Sequence, residues 1–257
     1  MRAAIILLGL GLLAGGAWFG LGADREADHL LITGAAASPL DDGGAAAFLT
    51  IENRGAPDRL IDVASPIADA SLYSPGDDKG PPVPVGVSSL APDSAHIRLQ
   101  GSGETFQDGA LIPLTLTFAE AGPVTAKAKL IDPKARGDAE DVGLFGIGDI
   151  CIVGDGEPAP SLGLSVEKDG EGWRVLIETE EFTFSKDFVD LYHVPGMGHG
   201  HLYVGGMKMG RLYEPEAYIG ALPKGQHEIR VTLNTNDHRA YVVDDVPVTA
   251  EATIEVR

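Results

Sequence analysis

Between His193 and Gly210 the chain reads HVPGMGHGHLYVGGMKMG, and this window holds most of the side chains able to bind a soft or borderline metal ion. Three of the four methionines fall here, Met197, Met207 and Met209, beside His193, His199 and His201. Five of the seven histidines lie between residues 193 and 238, with His227 and His238 completing the set. Imidazole suits copper, zinc, nickel and iron, and a thioether adds a preference for Cu(I). His199 and His201 are two residues apart, so a strand carries both on one face and offers two imidazoles to one ion. The glycines flanking His199 let another stretch of backbone come close. His238 stands in NTNDH, just past a strand end, where a third imidazole could reach the same site. Met197 lies in the Gly-flanked PGMGHGH, read as a loop, where a thioether would suit Cu(I). His193 could add a further ligand or a supporting group. The candidate ligand set is therefore His199, His201 and His238, with Met197 and His193. His227 opens an alternating strand on its apolar face and reads as a core-edge histidine.

The elements that must position these groups are short strands. YVGGMK reads as a Gly-Gly hairpin turn. With two residues in the turn, Val204 faces Met207, Leu202 faces Met209 and His201 faces Gly210. Both methionines then enter the core, while His199, His201 and Tyr203 share the opposite face. A three-residue loop with a bulge would reverse that parity and set Met209 across from His201. QHEIRVTLNT alternates cleanly, with Ile229, Val231 and Leu233 inward and Glu228, Arg230 and Thr232 outward.

Similar runs recur along the chain. AAFLTIEN, RLIDVAS, ASLYS, VPVGVSSL, AHIRLQ, LIPLTLTFA and PVTAKAKLI are separated by Gly/Pro/Asp turn clusters, without a helical period. The expected fold class is all-β, with two tandem β-sandwich domains at 29–131 and 161–257. Residues 132–160 are charged, then Gly-rich, then Pro-rich, which reads as a linker.

A formal charge of −19 and a pI near 4.6 repel phosphate and exclude nucleic acid as a partner. Residues 1–23 open with one Arg followed by a long apolar run ending in small residues, the pattern of an export signal. The stretch from Ala3 to Ala23 also matches the roughly 20 residues that span a bilayer. Cleavage after Ala23 and retention as an N-terminal membrane anchor both stay open, and either leaves the chain periplasmic or otherwise extracytoplasmic. No Cys follows the apolar run, so lipoprotein processing is not indicated. Cys151 is the one cysteine and cannot form an internal disulfide. It reads as a small apolar residue of a strand or linker, with a partner disulfide or a metal as the alternatives.

Between Ala45 and Val124 the stretches AAAFLTIENRGAPDRLIDVASPIAD, VPVGVSSLAPDSAHIRL and LIPLTLTFAEAGPVT resemble the periplasmic copper chaperone family PCu(A)C. The resemblance implies a cupredoxin-like first sandwich and a role in carrying copper to terminal oxidase assembly. It also implies a His/Met copper site, yet Tyr73 stands where the first His is expected, and Arg98 stands at the Met position after His96. The first domain thus resembles a copper-chaperone fold without its usual ligands. HVPGMGHGHLYVGG, followed by LPKGQHEIRVTLNTNDH, resembles domains attached to copper-handling exported proteins.

The sequence holds no Gly-x-Ser-x-Gly elbow and no phosphate loop. The expectation is a non-enzymatic, exported copper-binding protein. It would hold Cu(I) or Cu(II) as a chaperone or store and pass it to a membrane or periplasmic acceptor. The alternative is a metal-free protein-interaction module.

Overall fold

The computed structural model describes residues 29–76, 79–101, 105–131, 150–154 and 156–257. The export segment, 1–23, and most of the expected linker lie outside these residues. The described chain is all-β, and among the described residues no helix is long and apolar enough to cross a membrane.

The first sandwich contains β1 (Leu30–Pro39), β2 (Ala45–Asn53), β3 (Asp58–Ala64), β4 (Asp69–Tyr73), β5 (Pro82–Val83), β6 (Gly86–Leu90), β7 (His96–Gln100), β8 (Leu111–Phe118) and β9 (Gly122–Leu130). Strand β2 divides its length between two neighbours: Ala45–Ala47 pair with β7, and Leu49–Asn53 pair with β6. Strand β1 runs antiparallel to β2 and parallel to β9, so the first and last strands close on each other. Alternate residues Ile112, Leu114, Leu116 and Phe118 of β8 point inward, as the period-2 pattern of LIPLTLTF requires.

The second sandwich contains β10 (Ile150–Ile152), β11 (Ser161–Asp169), β12 (Gly172–Glu180), β13 (Thr183–Phe184), β14 (Met197–Val204), β15 (Met207–Leu212), β16 (Glu216–Ile219), β17 (Gly225–Thr235), β18 (Ala240–Val243), β19 (Val246–Pro247) and β20 (Thr249–Val256). One sheet is the antiparallel set β11, β12 and β16. The other has β14 between β15 and β17, with β20 beyond β17. Val175, Ile177 and Ile219 of the first sheet meet Leu202, Val204, Ile229, Val231 and Ile254 of the second. Residues 150–152, assigned by composition to the linker, instead form β10, which pairs in parallel with β18 and buries Cys151.

The β14–β15 hairpin joins the two sandwiches. Gly205 and Gly206 have φ of 50° and 83°, the left-handed pair that a two-residue turn demands. The turn tip seats in the first sandwich. Ala95 donates its N–H to the Gly206 carbonyl at 2.8 Å, and Lys208 pairs in the ladder with Ser89 of β6. Met207 is fully buried in the first sandwich's core, and Met209 packs against both cores. Both methionines are therefore packing residues, and they pack across the junction. Met207→Ala is expected to cost about 2–5 kcal/mol, read as a lower urea midpoint. A loss near zero would show that the hairpin tip is not seated.

The register beyond the turn differs from expectation. Val204 faces Met207 and Tyr203 faces Lys208, but Leu202 then faces Gly210 and His201 faces Arg211. A bulge at Met209–Gly210 inserts one residue, and Gly210 takes it up with φ 149°. The shift brings Arg211 to the His201 face, where an unbroken ladder would have placed Gly210.

Candidate metal centre

The structure gathers three of the five sequence candidates. One ligand nitrogen from each of His199, His201 and His238 lies within 4.8 Å of the other two. His199 and His201 project from β14 on the face opposite Leu202 and Val204, as their spacing requires. Both are buried, which the sequence did not suggest. Gly198 is what allows this: a Cβ there would lie 1.9 Å from the Asn234 carbonyl oxygen of β17. His199 then sits opposite Asn234, and His201 opposite Thr232.

His238 arrives from the turn after β17, held by its N–H to the Thr235 carbonyl at 3.0 Å. Its φ is 69°, and Asp190, whose carboxylate contacts His238 Nε2, has φ 67°. Two non-glycine residues in the left-handed region, which Asp and His adopt more readily than most, thus meet through their side chains. The Asp190 N–H donates to the Asn236 carbonyl at 2.9 Å and ties the two loops together.

The ring nitrogens are committed in an orderly way. His199 Nε2 and His201 Nε2 are 3.0 Å apart. Two nitrogens each about 2.0–2.1 Å from one ion are separated by about 3 Å at bond angles near 90–100°. His201 Nδ1 lies 3.1 Å from the Asp93 carboxylate, 3.2 Å from the Tyr203 hydroxyl and 3.3 Å from Lys208 Nζ. Asp93 also accepts from Tyr203 at 2.8 Å and from Lys208 at 2.6 Å. With Asp93 on Nδ1, His201 keeps Nε2, the nitrogen that faces His199, for an ion, the carboxylate–imidazole support common at metal sites. Asp190 contacts Nε2 of His238. His199 Nδ1 is buried without a hydrogen-bond partner.

Electrostatics favour the ligating forms. Burial pushes His199 down to about 2, helped by the neighbouring His201, His238, Arg211 and Lys208. Burial also pushes His201 down to about 4, against the opposing effect of its hydrogen bond to the Asp93 carboxylate. Both are neutral at pH 7, the state a metal requires. Burial would raise Asp93, but the His201 bond and the Lys208 charge hold it well below the usual carboxylate range. Tyr203 is raised by burial and by Asp93, so its hydroxyl keeps its proton and donates. Its ring carries the Arg230 guanidinium at 4.3 Å.

His193 and Met197 have further neighbours of their own. His193 is not in the triad: its Nε2 is 3.9 Å from Cys151 Sγ, and its ring packs beside Tyr241. Met197 opens strand β14 and so does not lie in a loop; half-buried, it lines a surface recess with Pro158, Glu181 and Pro195. His227 is buried, with Nε2 2.6 Å from the Pro223 carbonyl, as a core-edge histidine should be. In the first sandwich Tyr73 and His96 are cross-strand partners with rings 4.7 Å apart, and Arg98 pairs with Asp42. Arginine cannot ligate, and one imidazole against a phenol ring makes no soft-metal site.

Asp93, Asp190 and Lys208 escaped the sequence reading. Asp93 lies in the turn after β6, and nothing in SLAPDSAH signals that it will meet a histidine 108 positions later.

Among solved structures, the chain is similar to the "Copper-bound PCuAC domain from PmoF2", at 24% identity over 41% of this chain and 94% of that one, with TM-score 0.36. It is likewise similar to the "Apo PCuAC domain from PmoF1", at 25% identity over 41% and 95%, TM-score 0.36. A broader, weaker likeness is to fibronectin(III)-like modules of Clostridium thermocellum CbhA, at 13% identity over 88% and 94%, TM-score 0.28. No curated protein matches. The family model that does match is LpqE-like, described as "Putative lipoprotein LpqE-like", and it covers residues 32–130, the first sandwich alone.

Proposed function

We propose that this protein is an exported, non-enzymatic copper-binding protein, acting as a chaperone or store, with 29–131 and 161–257 as its two domains. Its site is built from His199, His201 and His238. One observation carries the reading: three imidazole nitrogens converge within 4.8 Å, and a carboxylate orients the His201 ring from its far nitrogen. Among divalent first-row ions, a nitrogen donor set ranks Cu(II) highest. His238 and the exposed Asp190 form the open side, from which an ion would pass to a copper-accepting membrane or periplasmic protein. The export signal at 1–23 supports an extracytoplasmic location.

The test is metal titration of the full chain, because the second sandwich alone would expose Met207. Wild type is expected to take up about one Cu(II), with Zn(II) bound more weakly. The double variant His199→Ala/His201→Ala should take up none. A wild-type protein that stays metal-free after loading would favour the interaction-module reading. Undiminished binding by the double variant would remove these residues from the site.

A further inference from the structure

We infer that Asp93 of the first sandwich is the positioning residue for His201, so that metal binding by the second sandwich requires the first to be docked on it. This rests on the metal reading above and adds a partner to it: the other half of the same chain. The Asp93 carboxylate lies 3.1 Å from His201 Nδ1, where it fixes the tautomer and ring orientation and leaves Nε2 facing His199 Nε2. Asp93 is itself seated by contacts that exist only while the sandwiches are joined. Tyr203 and Lys208 donate to it, and both belong to the hairpin whose tip enters the first sandwich. Two residues on, Ala95 holds that tip through the Gly206 carbonyl. The Ser89–Lys208 ladder pair and the buried Met207 complete the seat.

The same observation gives the first sandwich a task. Its own Tyr73, His96 and Arg98 supply no copper site, yet its β6–β7 turn supplies the carboxylate that the second sandwich lacks at His201.

The experiment uses the full chain, titrated with Cu(II) and with Zn(II) against a chromophoric chelator. Asp93→Asn should weaken binding about tenfold to hundredfold. Because Asp93→Asn leaves Lys208 buried without its counter-charge, Asp93→Asn/Lys208→Met is measured beside it and should show the same loss in a folded protein. Tyr203→Phe removes one of the two donors that seat Asp93 but keeps the carboxylate, and should weaken binding less than Asp93→Asn does. Metal loading of wild type should also slow amide exchange at residues 88–95, a segment that contributes no ligand. Asp93 variants that bind like wild type would overturn the inference, as would exchange at 88–95 that ignores the metal. If both Asp93 variants fail to fold, that exchange measurement decides. If wild type takes up no metal, or the His199/His201 variant still binds it, the metal reading itself fails. Loss in the histidine variant without loss in the Asp93 variants refutes only the present inference.

Discussion

Gly198→Ala is expected to weaken both the fold and the site more than any other single-methyl addition in β14. The added Cβ would lie 1.9 Å from the Asn234 carbonyl oxygen and 3.2 Å from the Thr235 Cα, both main-chain atoms of β17. A main chain held in an unbroken ladder from Gly198–Thr235 to Val204–Ile229 cannot yield as a side chain does. The strands must separate locally, and overpacking of this kind costs about 1–3 kcal/mol or more. Separation also moves His199, whose position opposite Asn234 sets its approach to His201 and His238. Metal affinity should therefore fall by at least about tenfold, since misplacing a ligand by a fraction of an ångström disrupts the constellation. Gly200→Ala is the control on the same strand. Its Cβ would meet Leu212 Cβ and Cδ1 at 3.2 Å, a contact that a shift of a few tenths of an ångström relieves, so a smaller loss in urea midpoint and near-normal binding are expected. Equal behaviour of the two variants would show that the β14–β17 approach does not depend on Gly198.

Local pattern made part of this arrangement legible. The alternation of QHEIRVTLNT placed Ile229, Val231 and Leu233 inward, and all three are fully buried. The two-residue spacing of His199 and His201 and the flanking glycines gave the shared face and the close approach. The glycines around Met197 read as a loop because glycine is rare in strands. In β14 glycine serves the opposite end, admitting a neighbouring strand that any side chain would hold off. What the local pattern could not carry was long-range contact. The bulge at Met209–Gly210 changes pairing without changing composition. Asp93 reaches His201 only because one hairpin is planted in the other sandwich. The burial of His199 and His201 follows from that docking and from the loops bearing Asp190 and His238, none of which has a periodic signature.

Metal-free protein should lose stability steeply as pH falls from about 6.5 toward 4, and the His199→Ala/His201→Ala variant should lose much less. In the folded state burial pushes His199 down to about 2 and His201 to about 4, while in the unfolded chain both titrate near the ordinary imidazole value of about 6.5. Above pH 6.5 both states hold these rings neutral and there is no proton linkage. Below it the unfolded chain takes up protons that the fold refuses, so stability falls with falling pH. Each imidazole contributes about 1.4 kcal/mol per pH unit until its folded value is reached. The two rings also repel each other's charge, so protonating one makes protonating the second harder while the fold persists. The groups facing them do not reverse the sign. Lys208 and Arg211 are cations that oppose protonation of both rings, and His238 opposes it at His199. Asp93 favours protonation of His201 and is already counted in its value of about 4. Asp93 itself is held low, so its own linkage begins only near the ordinary carboxylate value of about 3.9 and adds to the acid loss. The measurement is the urea midpoint of chelator-treated protein between pH 7.5 and 4.5. Parallel pH slopes for wild type and the double variant would show that these imidazoles are not held neutral by the fold. Bound Cu(II) should shift the wild-type decline to lower pH, because the ion occupies the lone pairs that protons would otherwise take.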